Sequence, residues 1–170
     1  MTIVIIFETD IHIMAKVQGS YIVEEATVAY KAKQASIDLQ VIIDGGDASG
    51  EIDKIRLSRA GISRESLDLV AHYLGISLER LSHLLHISYR TILRKKQGDH
   101  MGVHVSEQVI AIAEVIRRGI EVMETEADLK VWLHTELPGL DGQMPISYLD
   151  TSFGATMLLK ILGRIEHGVY

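Results

Sequence analysis

Leu81-Ser82-His83-Leu84-Leu85-His86-Ile87-Ser88-Tyr89-Arg90-Thr91-Ile92-Leu93-Arg94-Lys95-Lys96 is the stretch that decides how this chain is read. Leu81 and Leu85, four residues apart, fit the inner face of one helix. Ile87 is an apolar plug for a turn, and Ser88 can cap the next helix by accepting its orphan amide hydrogens. That second helix buries Ile92 and turns Tyr89, Arg90, Arg94 and Lys95 or Lys96 outward, residue types that contact base edges and phosphates. The plain alternative is an amphipathic helix pair with a solvated basic face. Local charge argues against it. From Gly61 to Gly98 the cations are Arg64, Arg80, Arg90, Arg94, Lys95 and Lys96 against Glu65, Asp68 and Glu79, in a chain of net charge −6. A basic island in an acidic protein predicts a localised phosphate-binding face.

The stretch resembles the Leu-Ala-x-x-Leu-Gly-Val-Ser-x-x-Thr-Val skeleton of Xre/Cro-type helix-turn-helix proteins. Ser82 stands where that family prefers Ala, at the crossing of the two helices, where a small side chain still fits. His86 stands at a Gly position that often takes positive φ, which His tolerates better than a β-branched residue does. The resemblance implies a double-stranded operator DNA partner and a contact set of Ser88, Tyr89, Arg90, Thr91, Arg94, Lys95 and Lys96, with Tyr89 and Thr91 at the groove entry. One short recognition helix reads few base pairs. A homodimer reading two half-sites about 34–36 Å apart is therefore expected.

At 170 residues and 47% hydrophobic content the chain holds one compact domain or two small ones. It has no cysteine, which removes disulfides, thiol nucleophiles and thiolate zinc sites and fits a cytoplasmic location. The opening run Thr2 to Phe7 is too short to span a bilayer and is followed by Glu8 and Asp10, so neither a signal peptide nor a membrane anchor is expected. It reads as a β-strand, or as sequence upstream of a true start at Met14.

Residues 1–56 read as a variable amino-terminal segment, short α/β or irregular. β-branched runs at Ile3 to Phe7 and Leu39 to Ile43 flank a helix from Val23 to Lys33, and a turn-rich linker runs from Asp44 to Gly50. The glycines there invite a phosphate-loop reading, but no Gly-Lys-Ser/Thr follows, and Asp44 and Asp47 would repel phosphate. From Leu57 the signals are helical and the expected class is mostly α. A helix-turn-helix domain is expected over 57–122 and a small helical domain over 123–170. Ser63, Ser77 and Ser88 cap successive helices, the first closed by Gly75. Ser106 begins a long helix in which Val109, Ile110, Ala113, Ile116 and Ile120 recur at spacings of three and four. Thr125 with Asp128 starts a short helix carrying Leu129, Trp132 and Leu133, of which Trp132 and Leu133 read as core or dimer packing. A polar loop surrounds Pro138 to Gly142, Pro145 sits at a first helical position, and a last helix runs from about Thr151 to Ile165.

Trp132-Leu133-His134, the loop from Leu140 to Thr151 and the ending Leu159-Lys160-Ile161-Leu162-Gly163-Arg164-Ile165-Glu166-His167-Gly168-Val169-Tyr170 together resemble the Xre/MbcA/ParS antitoxins. The family loop is close to Leu-x-Gly-x-x-Pro-x-x-Leu-Leu-Asp, with Tyr148-Leu149-Asp150 closing it here, and the family tail is close to Leu-x-Arg-Ile-Glu-His-Gly. The resemblance runs from about residue 57 to the end. It implies a helical carboxy-terminal toxin-binding domain, a RES-domain toxin that consumes NAD, obstruction of the toxin's NAD pocket by the antitoxin's tail, and autorepression of the operon. The implied toxin contacts are Leu162, Arg164, Ile165, Glu166, His167, Gly168, Val169 and Tyr170. The residues suit such a role: Arg for paired contacts, Tyr and Val for burial, Gly for a bend. An ordinary end to a core helix, with frayed last residues, would use many of the same residue types. From Glu121 onward acids outnumber bases, which suits a toxin whose site attracts phosphates.

Other chemistry lacks its residues. His83 with His86 and His100 with His104 have helical spacings but no third ligand; His83 reads as helix surface, His86 as turn, and the other two as loop. Glu24-Glu25 has no second acid across a cleft, and no nucleophile elbow or His-Glu-x-x-His motif occurs. No catalytic residue, metal ligand or cofactor is expected. Two rival functions stand beside the antitoxin. One is a stand-alone helix-turn-helix regulator whose carboxy-terminal domain senses a small ligand in an enclosed apolar pocket. The other is an adaptor that has lost DNA affinity.

Overall fold

A computed structural model describes residues 39–44, 50–96 and 98–169. Its helices are α1 (39–44), α2 (Glu51–Ala60), α3 (Arg64–Leu74), α4 (Leu78–Leu84), α5 (Tyr89–Arg94), α6 (Val103–Met123), α7 (Glu126–Leu133) and α8 (Ser152–Glu166). Two 3-10 turns, Pro138–Leu140 and Pro145–Asp150, lie between α7 and α8. Among the described residues the only β features are isolated bridges, Ser63 with His100 and Leu137 with Gln143. The described residues adopt the expected mostly α class.

The helix starts follow from side chains that satisfy orphan amides. Ser63 accepts from Ser66, Ser77 from Arg80, Ser88 from Thr91, Thr125 from Asp128 and Thr151 from Gly154. Each such cap contributes about 1 kcal/mol. Three ends close in the same way. The amides of Ile76, Ile87 and Val169 reach back to the carbonyls of Ala71, Ser82 and Arg164 at 3.0 Å, around Gly75, His86 and Gly168 at φ of 67°, 52° and 63°. This is the Schellman closure, whose left-handed residue is ordinarily glycine.

Three expectations need correction. The run Leu39 to Ile43 is helical, not a strand: Leu39, Ile42 and Ile43 are buried at helical spacing, and a short apolar run does not by itself distinguish the two states. Ser106 does not begin α6, which starts at Val103. Its hydroxyl instead accepts from the Ile62 amide and donates to the Gly102 carbonyl, each at 3.0 Å, inside the core. His104, expected in a loop, sits exposed in the first turn of α6. The expected strand Ile3 to Phe7, the helix Val23 to Lys33, the linker residues 45–49, Gln97 and Tyr170 lie outside the described residues.

Helix α6 is the spine. It packs most extensively against α8 and α2, and its middle is buried on several sides, through Val109, Ile112, Ala113, Val115 and Ile116. One apolar cluster runs from Leu67, Leu74, Leu81 and Ile92 through α6 to Leu129, Leu133, Leu149, Leu158 and Leu162. Each fully buried Leu or Ile contributes roughly 1.5–3 kcal/mol. Trp132 joins this core. Gly119 lets α7 approach α6, since a Cβ there would collide with Leu129. Lys54 ties α2 to Glu114 on α6. Its partial burial disfavours the ammonium, but hydrogen bonds to Glu114 and Glu51 more than offset this and hold its pKa above the ordinary lysine value.

Candidate functional site

The helix-turn-helix geometry is set by burial on one side and exposure on the other. Leu81, Leu85 and Ile92 are buried, and Ile87 packs half-buried against the same core. Ser82 fits the crossing because it is small and its hydroxyl donates to the Glu79 carbonyl at 2.7 Å. His86 takes the expected positive φ at the turn. On α5, Arg90, Leu93 and Arg94 face solvent, with Tyr89 beside them and Lys96 just beyond. Among the described residues none of the cations Arg90, Arg94, Lys95 and Lys96 has an ion pair.

Not all of the expected DNA set is equally available. Ser88 and Thr91 hydroxyls bond each other at 2.7 Å while Ser88 caps α5. Lys95 is half-buried and its ammonium donates to the His100 carbonyl at 2.7 Å, so it braces the following loop. Arg64 is engaged by Asp68. Leu93, 58% exposed, was missed by the sequence reading although it lies four residues from Tyr89 and so shares its face.

The carboxy-terminal residues divide in a similar way. Leu162 is fully buried, so it supports the tail from beneath and is not presented to a partner in this conformation. Ile165 is half-buried, and Arg164, Glu166, His167, Gly168 and Val169 are exposed. Gly168 bends the chain back in a Schellman closure that ties the Val169 amide to the Arg164 carbonyl. Glu166 pairs with Arg118 on α6. That hydrogen bond holds the Glu166 carboxyl below its ordinary range and raises the Arg118 value. Glu121 is engaged by Arg117 and Arg118, and Glu126 by Lys130. Three of the acids counted in this region, Glu121, Glu126 and Glu166, are thus neutralised within the chain. The exposed Phe153 also went unread in the sequence, where nothing marks an aromatic in a first turn as solvent-facing.

Three side chains join the two regions through backbone carbonyls. The Gln108 amide donates to Leu84 at 3.0 Å and Leu149 at 3.1 Å, bridging the end of α4 to the second 3-10 turn. His86 Nε2 bonds the Asp150 carbonyl at 3.0 Å, and His134 Nε2 bonds that of Leu74 at 2.9 Å. Carbonyls at or near helix ends gain partners in this way. Among the described residues no group of three His, Asp or Glu is placed to hold a metal, and no helix is long and apolar enough to cross a membrane. A groove of about 360 Å³ between α1, α3, α6 and α7 is open and lined by Ile43, Asp44, Tyr73, Arg117, Ile120, Glu121 and Glu126.

Comparison with known proteins follows the same division. Residues 53–114 match the antitoxin Xre-like helix-turn-helix domain, and residues 118–168 match the antitoxin Xre/MbcA/ParS C-terminal toxin-binding domain. The chain is 28% identical over 127 residues to Antitoxin Xre of Yersinia enterocolitica, an alignment covering 70% of this chain and 80% of that protein. It is 22% identical over 129 residues to the Prs ADP-ribosylating antitoxin of a Sphingobium species, covering 70% and 81%.

Proposed function

We propose that this chain, which belongs to the Xre/MbcA/ParS antitoxin family, neutralises an NAD-consuming RES-domain toxin by lodging its carboxy-terminal segment in the toxin's active site, and represses its own operon as a homodimer on operator DNA. As a member of that family it is an antitoxin and not an enzyme; the catalysis belongs to the partner.

The observation that carries this reading is that two exposed faces hang on one core. Arg90, Arg94 and Lys96 stand clear of carboxylates on and after α5, while Arg164, His167 and Val169 stand exposed at the end of α8. One chain can therefore hold DNA and a protein at once. The Sphingobium relative supports the NAD-using class, since its name refers to ADP-ribosylation, a reaction whose ADP-ribose donor is NAD. Arg90 and Arg94 suit guanine and phosphate contacts, Lys96 a phosphate, and Tyr89 and Thr91 the groove entry; Ser88 holds the helix start. At the tail, Arg164 and His167 supply polar contacts and Val169 an apolar one, with Glu166, Gly168 and Ile165 fixing the geometry and Tyr170 following them. The stand-alone regulator needs an enclosed apolar pocket, whereas the groove beside α6 is open and carries four charged residues.

The test uses the purified product of the neighbouring gene. That protein should consume NAD, and one equivalent of this chain should stop it. The chain should also retard a fragment spanning its own promoter, with affinity falling steeply as salt rises. Continued NAD loss in the presence of excess chain would overturn the neutralisation, and absence of any retardation at low salt would overturn the repression.

A further inference from the structure

Two strips of different chemistry run side by side on the outer face of α5. Ile92 is buried beneath the helix, and Arg90 and Arg94, four residues apart, form the strip farthest from it. Tyr89 and Leu93, also four apart, form the second strip alongside. They are the exposed large apolar side chains of α4 and α5, at 37% and 58%. The fold gives Leu93 no use. Ile92 anchors the helix and Ser88 caps it, and alanine serves an exposed helical position at least as well. A lone exposed leucine is ordinary on a protein surface, but this one is flanked by Arg90 and Arg94, neither of which has an ion pair among the described residues. Whatever covers the face must therefore meet two guanidiniums and also offer Leu93 an apolar group. A second copy fails the first condition, because a two-fold contact centred here brings Arg90 and Arg94 against their own counterparts. The major groove of double-stranded DNA meets both, with phosphates and guanine acceptors for arginine and the C5-methyl of thymine as the apolar group on its base edges.

We infer that Leu93 is a specificity-determining residue that reads a thymine methyl in the operator, beside the bases that Arg90 and Arg94 read. The inference rests on the operator-binding reading and adds to it an apolar contact outside the polar set expected from the sequence. Leu93 lies within residues 53–114, which match a helix-turn-helix domain. Tyr89, on the same strip, helps to exclude water from the methyl. Discrimination follows from what the other bases present. Cytosine at that position has no methyl and turns an amine towards a side chain that cannot accept from it, so a polar group loses water without gaining a partner.

The experiment titrates the full chain, by fluorescence anisotropy, against a fragment spanning its own promoter made either with thymine or with uracil in its place throughout. Uracil pairs as thymine does and lacks only the C5-methyl. Wild type should bind the uracil fragment roughly fourfold more weakly per half-site, the worth of one buried methyl, and so about 15-fold more weakly as a dimer on two. Leu93→Ala should bind the thymine fragment at least as weakly as wild type binds the uracil one. Its further loss on uracil should be less than about fourfold, with melting temperature and salt dependence as in wild type. Lys96→Ala, which removes a phosphate contact, should keep the full uracil penalty while its dependence on salt becomes shallower. Equal uracil penalties in wild type and Leu93→Ala would refute the methyl contact and leave operator binding standing. If wild type fails to bind the thymine fragment at low salt, both readings fall. A drop in oligomeric mass on Leu93→Ala would assign the strip to self-association and likewise overturn the proposal.

Discussion

Gly154 and Gly163 lie on the same helix, yet alanine should act on them with opposite signs. A Cβ at Gly154 would sit 2.7 Å from the carbonyl carbon of Tyr148, closer still to its oxygen, and 3.1 Å from Thr151 Oγ1. The obstacle is backbone, so no rotamer change relieves it. The second 3-10 turn and the first turn of α8 must move apart by about 1 Å, an overpacking strain costing about 1–3 kcal/mol. The same movement weakens the Thr151 cap, whose oxygen accepts from the Gly154 amide at 3.1 Å, and adds about 1 kcal/mol. The sum is about 2–4 kcal/mol, a fall in melting temperature of roughly 5–15 °C for a domain of this size. At Gly163 a Cβ meets nothing within 4 Å. Alanine there should stabilise by about 0.5–1 kcal/mol through helix propensity. Thermal melts followed by circular dichroism at 222 nm decide the matter. Equal shifts for the two variants, or a stabilised Gly154→Ala, would refute the packing of α8 against the 3-10 turn.

Arg90→Ala should lower promoter affinity by about 1–3 kcal/mol if Arg90 reads a base, measured by gel-shift titration; an unchanged affinity removes it from the contact set. His86→Ala keeps the left-handed strain and loses the bond to Asp150, a cost of about 1–2 kcal/mol, whereas His86→Gly relieves the strain and should be close to neutral by urea midpoint. Gln108→Ala leaves the Leu84 and Leu149 carbonyls without their shared donor and should cost about 1–3 kcal/mol in the same assay. Arg118 holds Glu166 below the ordinary carboxyl value of 4.5, so that contribution is complete above the unfolded pKa and is lost as pH falls through the folded one. The difference in urea midpoint between wild type and Glu166→Gln should accordingly shrink from pH 7 towards pH 3.

What the sequence made legible was local. Ser63, Ser77, Ser88 and Thr125 announce helix starts because capping needs only a hydroxyl and the amides two or three residues on. The Leu81, Leu85, Ile87 and Ile92 pattern announces the helix-turn-helix for a similar reason, and the positive φ at His86 follows from its place in that skeleton. What stayed hidden depends on partners distant in the chain. His86 meets Asp150, His134 meets Leu74 and Gln108 meets Leu149 only after folding. The tight glycines hide likewise, since nothing near Gly119 or Gly154 says which neighbour will lie over it. Leu162 shows the converse: a tail motif drew in a residue that the fold buries and whose helical spacing from Leu158 already places it on the inner face. Lys95 is similar, because a cation beyond the end of a recognition helix can as well brace the next loop.

The central claim is neutralisation of an NAD-consuming toxin by the end of α8, and co-expression tests it most directly. The chain, intact or truncated after Leu162 so that this core side chain remains, is produced with the neighbouring toxin while growth and cellular NAD are followed. The account predicts that the intact chain restores both and the truncated chain, still folded by its melting curve, restores neither. Equal protection by the two forms, or a neighbour harmless on its own, would contradict it.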